Sequence, residues 1–408
     1  MAKILWGKVY YQEIYAGILK EEIGGRCIFT YDESYVEAKH PAISHTLPLT
    51  REPYKNERGL HPFFDNLVAE GWFQKAQAKT LGIDPDRRFA LLLGFGYDLA
   101  GAVSVIDPEP QEYRSLSHAD EALFAASLSR ASLSGVQRKL LVMKDGEEFR
   151  PVKGGELSTH IAKLPSGELN ELIELEYLTT KAISNLLPND EVVDLEICDI
   201  PSIKERALVI SRFDRTKSKK RLHFEEFTQL LNRYSKEKYD GTYEEMGKFI
   251  NNTPGCVPAE SERLFTRILA SLLMGNTDAH LKNFAMFHTK NGMRLAPSYD
   301  LVGSTFYPQY RSIAIEIGNI KDLDISALKA KHLYIMGQGF GFADDIIINS
   351  VKTLENNLSK ALASIKNSDV GSRQLRDKLI KIMEARWNGS FKSIGKLLSK
   401  RQSKEEKS

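Results

Sequence analysis

Cysteine is scarce in this chain. Cys27, Cys198 and Cys256 are spread over 408 positions with no close pair. That spacing argues against a disulfide scaffold and against a paired-cysteine metal motif, and predicts free thiols in a reducing compartment. Long apolar runs are missing as well. Runs such as FALLLGF at 89–95 fall far short of the roughly 18 apolar residues a membrane helix needs. The opening MAKILWGKVYYQEI has no uninterrupted apolar core of the secretory type. Charge of one sign is also lacking: 56 basic against 54 acidic side chains leave +2. So small an excess does not hold a polyanion by bulk attraction, and any nucleic-acid contact has to come from a local patch or a partner. No internal repeat and no low-complexity segment is present. These absences predict a cytoplasmic protein with no membrane partner. What remains, 42% hydrophobic and 27% charged, is ordinary globular composition, and the length predicts two or three packing units of about 100–200 residues each.

The texture of the chain predicts an α+β fold. Residues 1–115 read as a small α/β domain, with short strands around KILWGKVYYQEIYAGILK and RCIFTYD and a helix over HPFFDNLVAEGWFQKAQAKTLGI at 61–83. DPEPQEYRSLSHAD at 107–120 is the candidate linker. Residues 116–215 read as a strand-rich lobe: a hairpin LLVMKDGEEFR turning at Asp145-Gly146, a strand STHIAKLP, an amphipathic helix ELNELIELEYLTTKAISNLLP stopped by Pro188, and strands EVVDLEICDIP and RALVISRF. Residues 216–400 are helical in pattern, except around FAMFHTKNGMRLAPSYDL and the glycine-rich MGQGFGFADD, and 401–408 is a polar tail. That order matches a two-lobed, protein-kinase-like core carrying an N-terminal extension.

The sharpest constellation is GNTDAHLKNFAMF at 275–287, where Asp278 and Asn283 stand five positions apart with Lys282 between them. Protein-kinase catalytic loops carry an Asp and an Asn at this spacing. The Asp orients or accepts the proton of an attacking hydroxyl while the Asn carbonyl holds a magnesium ion beside the phosphates. The same string also reads as a helix C-terminus capped at Gly275-Asn276 with ordinary loop residues after it. Asp300, 17 positions after Asn283 and beyond a hairpin-like segment, is placed to supply a second hard oxygen ligand, or to cap a turn after Pro297. Upstream, Lys163 ends an apolar strand where a lysine reaches nucleotide phosphates. Glu176 in the following helix is spaced to orient that lysine, or to face solvent. SLSGVQRKLLV at 132–142 is a small-residue turn whose amides and Lys139 are suited to cradle phosphate oxygens; its single glycine makes it neither an ordinary kinase glycine-rich loop nor a P-loop. Ser211, Arg212 and Phe213, at a strand end between lobes, offer backbone groups and an apolar wall to a base, although a buried Arg212/Asp214 pair holding that connector explains the same residues.

Taken together, these strings resemble the HipA family of bacterial serine/threonine kinases, the toxins of HipA–HipB toxin–antitoxin pairs. The matching strings are LPLTREPY, FFDNLVAEG, FALL and LAGAV in the N-terminal part, and SLSGVQRK, STHIAKLP, SRFDR, HFEEF, GNTDAHLKNF and PSYDL in the core. The resemblance implies that Asp278 is the catalytic base, that Asn283 and Asp300 hold Mg2+, and that Lys163 contacts ATP. It adds Ser134, Gly135, Val136, Gln137, Arg138, Lys139, Ser211, Arg212, Phe213, His280, Lys282 and Tyr299 as positions lining the nucleotide site. It also implies a self-phosphorylated serine that silences the enzyme: Ser132 by position, with Ser134 as a second candidate. A phosphoryl group of about −1.5 to −2 charge there repels ATP phosphates. Ser211 stands where the family more often carries Glu. The implied partners are a HipB-like helix-turn-helix antitoxin and an aminoacyl-tRNA synthetase substrate, glutamyl-tRNA synthetase first, with DNA reached mainly through the antitoxin, at the nucleoid. Arg212, Arg215, Lys217, Lys219, Lys220 and Arg221 form a basic run suited to nucleic acid, or a solvated loop. The alternatives are a pseudokinase-like co-repressor that only bridges an antitoxin on DNA, and a small-molecule kinase on the same core.

Overall fold

The structure is a computed structural model that describes residues 4–109 and 137–394. The linker candidate beyond 109, Ser132, Ser134, Gly135, Val136 and the polar tail lie outside the described residues. The chain divides into two compact units, Met1–Ser166 with Asp194–Glu237, and Gly167–Val193 with Lys238–Ser408.

In the first unit, β1 (Leu5–Tyr11), β2 (Ile14–Glu21), β3 (Cys27–Tyr31), β4 (Tyr54–Asn56) and β5 (Val103–Ile106) form a sheet in the order β4-β3-β2-β1-β5. Every pairing in it is antiparallel. Alternation along the strands turns Val9, Tyr11, Leu19, Phe29 and Tyr31 inward, onto Phe63, Phe64, Phe89 and Leu92. The single helix expected over 61–83 is two pieces, a short Pro62–Asp65 turn and α1 (Gly71–Leu81), followed by α2 (Arg88–Phe95). The break has a local cause. Asn66 bonds back to the Pro62 carbonyl at 2.9 Å, and Gly71 enters α1 with φ +59°, a left-handed conformation that favours glycine.

A second antiparallel sheet runs β7-β6-β8-β10-β9, from β6 (Lys139–Asp145), β7 (Glu148–Pro151), β8 (His160–Lys163), β9 (Leu195–Ile200) and β10 (Glu205–Ser211). The hairpin turns one residue later than the sequence predicts: Asp145 pairs with Glu148 and the loop is Gly146-Glu147, with Gly146 at φ +65°. One face of this sheet, carrying Leu140, Val142, Ala162 and Val209, packs with Phe73 and Ala76 of α1. The N-terminal helix thus belongs to the core of the second sheet.

The second unit is built on α3 (Leu172–Leu186), α4 (Tyr243–Asn252), α5 (Ala259–Leu273), the hairpin β11 (Ala285–Thr289) and β12 (Gly292–Leu295), α6 (Ala330–Gly339), α7 (Asp344–Lys366) and α8 (Arg373–Arg386). The glycine-rich MGQG, expected to interrupt helix, lies inside α6. A β-carbon on Gly337 would lie 2.6 Å from Ile347 Cδ1, and one on Gly339 would lie 2.3 Å from Glu244 Cγ. These glycines serve close packing against α7 and α4, not a turn.

Candidate functional site

The first unit carries one set of the singled-out residues, on the face of β6, β8 and β10 opposite to Leu140, Ala162 and Val209. Register makes Lys139 and Lys163 direct cross-strand partners, so both side chains leave the sheet on one face. Leu141, Ile161 and Leu208 share that face by the same alternation. Both lysines are buried at 7% exposure. The side chain before Lys139 goes elsewhere: Arg138 pairs with Glu205 at 2.8 Å and lies over Trp72. Gln137 donates to the Leu164 carbonyl at 3.3 Å.

At the end of β10 the amide of Ser211 donates to the Asp194 carbonyl at 2.9 Å, and that of Arg212 to the Thr159 carbonyl at 3.0 Å. The half-buried Phe213 ring meets Phe224 edge-on, 4.9 Å between centroids. The Arg212 guanidinium is consumed internally. It donates to Asp214 at 2.7 and 2.9 Å, to Ser158 Oγ at 2.8 Å, to Asp98 Oδ1 at 3.3 Å and to the Leu99 carbonyl at 2.9 Å. Arg215 reaches Asp98 at 2.6 Å and Asp214 at 2.8 Å, while Ser158 and Gly101 donate to the same two carboxylates. Burial pushes both carboxyls up, but Arg212 and Arg215 outweigh it and hold Asp98 and Asp214 below the ordinary carboxylate range. Arg221 is buried too, bonded to the Val103 and Tyr97 carbonyls; burial, then Arg215, pushes it down to about 10. The basic run 212–221 is therefore not one surface patch. Its three arginines are interior, and only Lys217, Lys219 and Lys220 are exposed.

The second unit carries the other set. Helix α5 ends in a Schellman cap, Gly275 N–H to the Leu272 carbonyl and Asn276 N–H to the Ser271 carbonyl. Gly275 is left-handed at φ +75°, and a β-carbon there would lie 2.1 Å from Thr305 Oγ1. Gly275-Asn276 is therefore both a helix cap and the entry to a loop. That loop is tied down at once: Thr277 N–H donates to Ser304 Oγ at 2.8 Å, and Asn276 Oδ1 accepts the Asp278 N–H at 3.0 Å. Asp278 itself is exposed. The single 3₁₀ turn Leu281–Asn283 then brings Asn283 to Asp300, with Nδ2 donating to Oδ2 at 2.8 Å, while Asn283 Oδ1 accepts the His280 N–H at 2.9 Å. Asp300 is held at φ +55°, an uncommon conformation for a residue with a β-carbon and one found at functional turns. Tyr299 OH donates to the Lys282 carbonyl at 2.7 Å. His280 is buried, and burial, then Lys238, pushes its imidazole down to about 3, so it is neutral at physiological pH. An amide carbonyl and a carboxylate, both hard oxygen donors on neighbouring side chains, fit a magnesium ion, which takes few protein oxygens and keeps sites for water and phosphate.

Glu176 is buried at 1% exposure in α3, so the solvent-facing reading of that residue does not hold. Two features escaped the sequence altogether. Tyr239 donates its hydroxyl to Asp278 Oδ1 at 3.0 Å, and Tyr243 donates to the Ala279 carbonyl at 2.9 Å. Asp98 likewise bears on Arg212 from more than a hundred residues away. No local motif marks any of the three.

The class of fold is now plain: mixed α/β and protein-kinase-like, with a strand-rich lobe and a helical lobe. It is similar to the HipA of Shewanella oneidensis, solved as a toxin–antitoxin complex of HipA, HipB and operator DNA, with a TM-score of 0.75 at 21% identity, over 95% of this chain and 99% of that one. Family models place the chain further. The HipA N-terminal domain matches residues 7–106 and the HipA-like C-terminal domain matches 131–362, so the chain belongs to the HipA family. Among curated relatives it is 32% identical over 312 residues to "Putative kinase Y4dM" of Sinorhizobium fredii, covering 69% of this chain and 73% of that one. It is 26% identical over 370 residues to the serine/threonine-protein kinase toxin HipA of Shewanella oneidensis, covering 82% and 83%.

Proposed function

We propose that this chain is an ATP-dependent serine/threonine protein kinase acting as the toxin of a toxin–antitoxin pair. The observation that carries the reading is the juxtaposition of Asn283 and Asp300 at 2.8 Å in the same loop system as an exposed Asp278. Asp278 is the base that accepts the proton of a substrate hydroxyl. As that oxygen bonds to the γ-phosphorus, the bond from γ-phosphorus to the bridging oxygen breaks and ADP leaves. Lys139 and Lys163 hold phosphate oxygens as point charges, and Ser211, Arg212 and Phe213 meet the base through backbone and ring. Asn283 and Asp300 are the residues that would hold magnesium, and the chemistry it would supply there is neutralisation of phosphate charge. Catalysis is positioning and electrostatics more than covalent chemistry. A helix-turn-helix antitoxin is supported by the HipA–HipB–operator complex of the structural relative. The substrate class that the family resemblance supports is an aminoacyl-tRNA synthetase, with silencing by phosphorylation of Ser132 or Ser134.

The test is transfer of label from γ-³²P-ATP to the purified full-length protein in the presence of Mg2+. Wild type acquires label, and Asp278→Ala acquires it about a thousandfold more slowly while still binding nucleotide. Full labelling of Asp278→Ala overturns the assignment of the base. No label in wild type points to the co-repressor, a protein that binds without transferring.

A further inference from the structure

Asp278 is held from outside its own loop. Residues 238–243 run along the catalytic loop and tie to it at successive points. The Lys238 carbonyl accepts the Leu281 N–H at 3.2 Å. Tyr239 OH donates to Asp278 Oδ1 at 3.0 Å, and Tyr243 OH donates to the Ala279 carbonyl at 2.9 Å. The Tyr239 ring is fixed as well as its hydroxyl: it meets His280 edge-on at 5.0 Å, and Lys238 Nζ lies 5.4 Å from its centroid. Behind it the segment is anchored by Tyr243 N–H to the Glu316 carbonyl and Glu316 N–H to the Gly241 carbonyl. Tyr243 is fully buried, so it is a structural post. Tyr239 is 44% exposed, and its hydroxyl stands at the carboxylate where chemistry is expected.

We propose that Tyr239 is a positioning residue for phosphoryl transfer: its pinned phenol binds one oxygen of Asp278 and so sets the orientation in which the carboxylate receives the substrate hydroxyl. An exposed aspartate otherwise samples several rotamers, and general-base catalysis depends on the lone pair meeting the proton in the right geometry. The phenol keeps its proton in this arrangement, so no transfer step passes through it. The inference rests on Asp278 being the base.

The test compares wild type, Tyr239→Phe, Asp278→Ala and the double variant as full-length proteins, by the initial rate of label transfer from γ-³²P-ATP. Tyr239→Phe removes only an exposed hydroxyl, and an unchanged melting temperature checks that the fold survives. The expected result is a fall in kcat of about tenfold with the KM for ATP changed less than about twofold, because orientation and not nucleotide binding is lost. In the Asp278→Ala background the Tyr239→Phe effect disappears, since the hydroxyl acts through that carboxylate. An unchanged or raised kcat in Tyr239→Phe overturns the proposal while leaving the kinase reading intact, as does an equal fall in the Asp278→Ala background. If wild type and Asp278→Ala label equally, the assignment of Asp278 as the base falls, and if neither labels, the kinase reading falls; this proposal goes with either.

Discussion

In SRFDR, Asp214 is buried between Arg212 and Arg215, and in GNTDAHLKNF, Asp278 is exposed and meets a tyrosine hydroxyl. As strings the two look alike, an aspartate among basic and polar neighbours. In the first cluster the two carboxylates of Asp98 and Asp214 face the two guanidinium groups of Arg212 and Arg215, and Ser158 and Gly101 add donors. Charge balances and the donors converge, so the cluster holds the end of β10 in place. In the second, Asp278 stays accessible while Asn283 and Asp300 pair beside it. A closed, neutral, buried cluster is a clamp; an open one leaves the accessible carboxylate that the proposed base requires.

The largest expected contrast is between the two aspartates themselves. Asp278→Ala lowers label transfer from ATP by about a thousandfold, within the range for loss of a general base, and leaves the melting temperature nearly unchanged. Asp98→Ala does the reverse. It strands Arg212 and Arg215 without their shared carboxylate and costs ~3–5 kcal/mol of stability, read as a lower midpoint in urea unfolding of the full chain; an unchanged midpoint breaks the comparison. The pH dependence carries the same signature. Because the carboxyls of Asp98 and Asp214 are held below their ordinary range, their contribution is complete above about pH 4 and is lost as pH falls further. The acid limb of the wild-type stability curve is therefore steeper than that of Asp98→Ala.

A smaller effect is expected from Asp300→Asn, which raises the Mg2+ concentration for half-maximal labelling about tenfold; an unmoved Mg2+ titration removes Asp300 from the metal site. The smallest belongs to the exposed part of the basic run. Replacing Lys217, Lys219 and Lys220 together by Gln changes stability by no more than about 0.5 kcal/mol. A drop as large as that of Asp98→Ala would place those lysines in the clamp.

Much of this was legible in the chain because it is local. The hairpin around Gly146, the helix stopped before Pro188, and the Asp278/Asn283 spacing each depend on residues within a turn or two of one another. The missed features are those in which the partner is far away in sequence. The helix over 61–83 broke between Asp65 and Gly71, where Asn66 bonds back to the Pro62 carbonyl and Gly71 turns left-handed, and only the tertiary structure shows its second half packing with the second sheet. The glycines of MGQG pointed to an interruption of the helical pattern because only the approach of α7 and α4 shows why a side chain cannot fit there. Arg212 and Arg215 left the surface because Asp98, more than a hundred residues earlier, pairs with both alongside Asp214, and Arg221 because its donors meet the Val103 and Tyr97 carbonyls.

By itself, then, the sequence determined the α+β class, the order of strand-rich and helical segments, the loop that carries Asp278 and Asn283, and the face alternation of THIAKLP. Tertiary structure alone decided that Lys139 stands opposite Lys163, that Asn283 reaches Asp300, that Arg212 points into a neutral cluster, and that Tyr239 lies against Asp278. The physical reason is the same throughout. Backbone periodicity and capping act over a few residues and leave a readable pattern, whereas cross-strand register, charge neutralisation and side-chain contact are settled by whichever distant segment folding brings alongside.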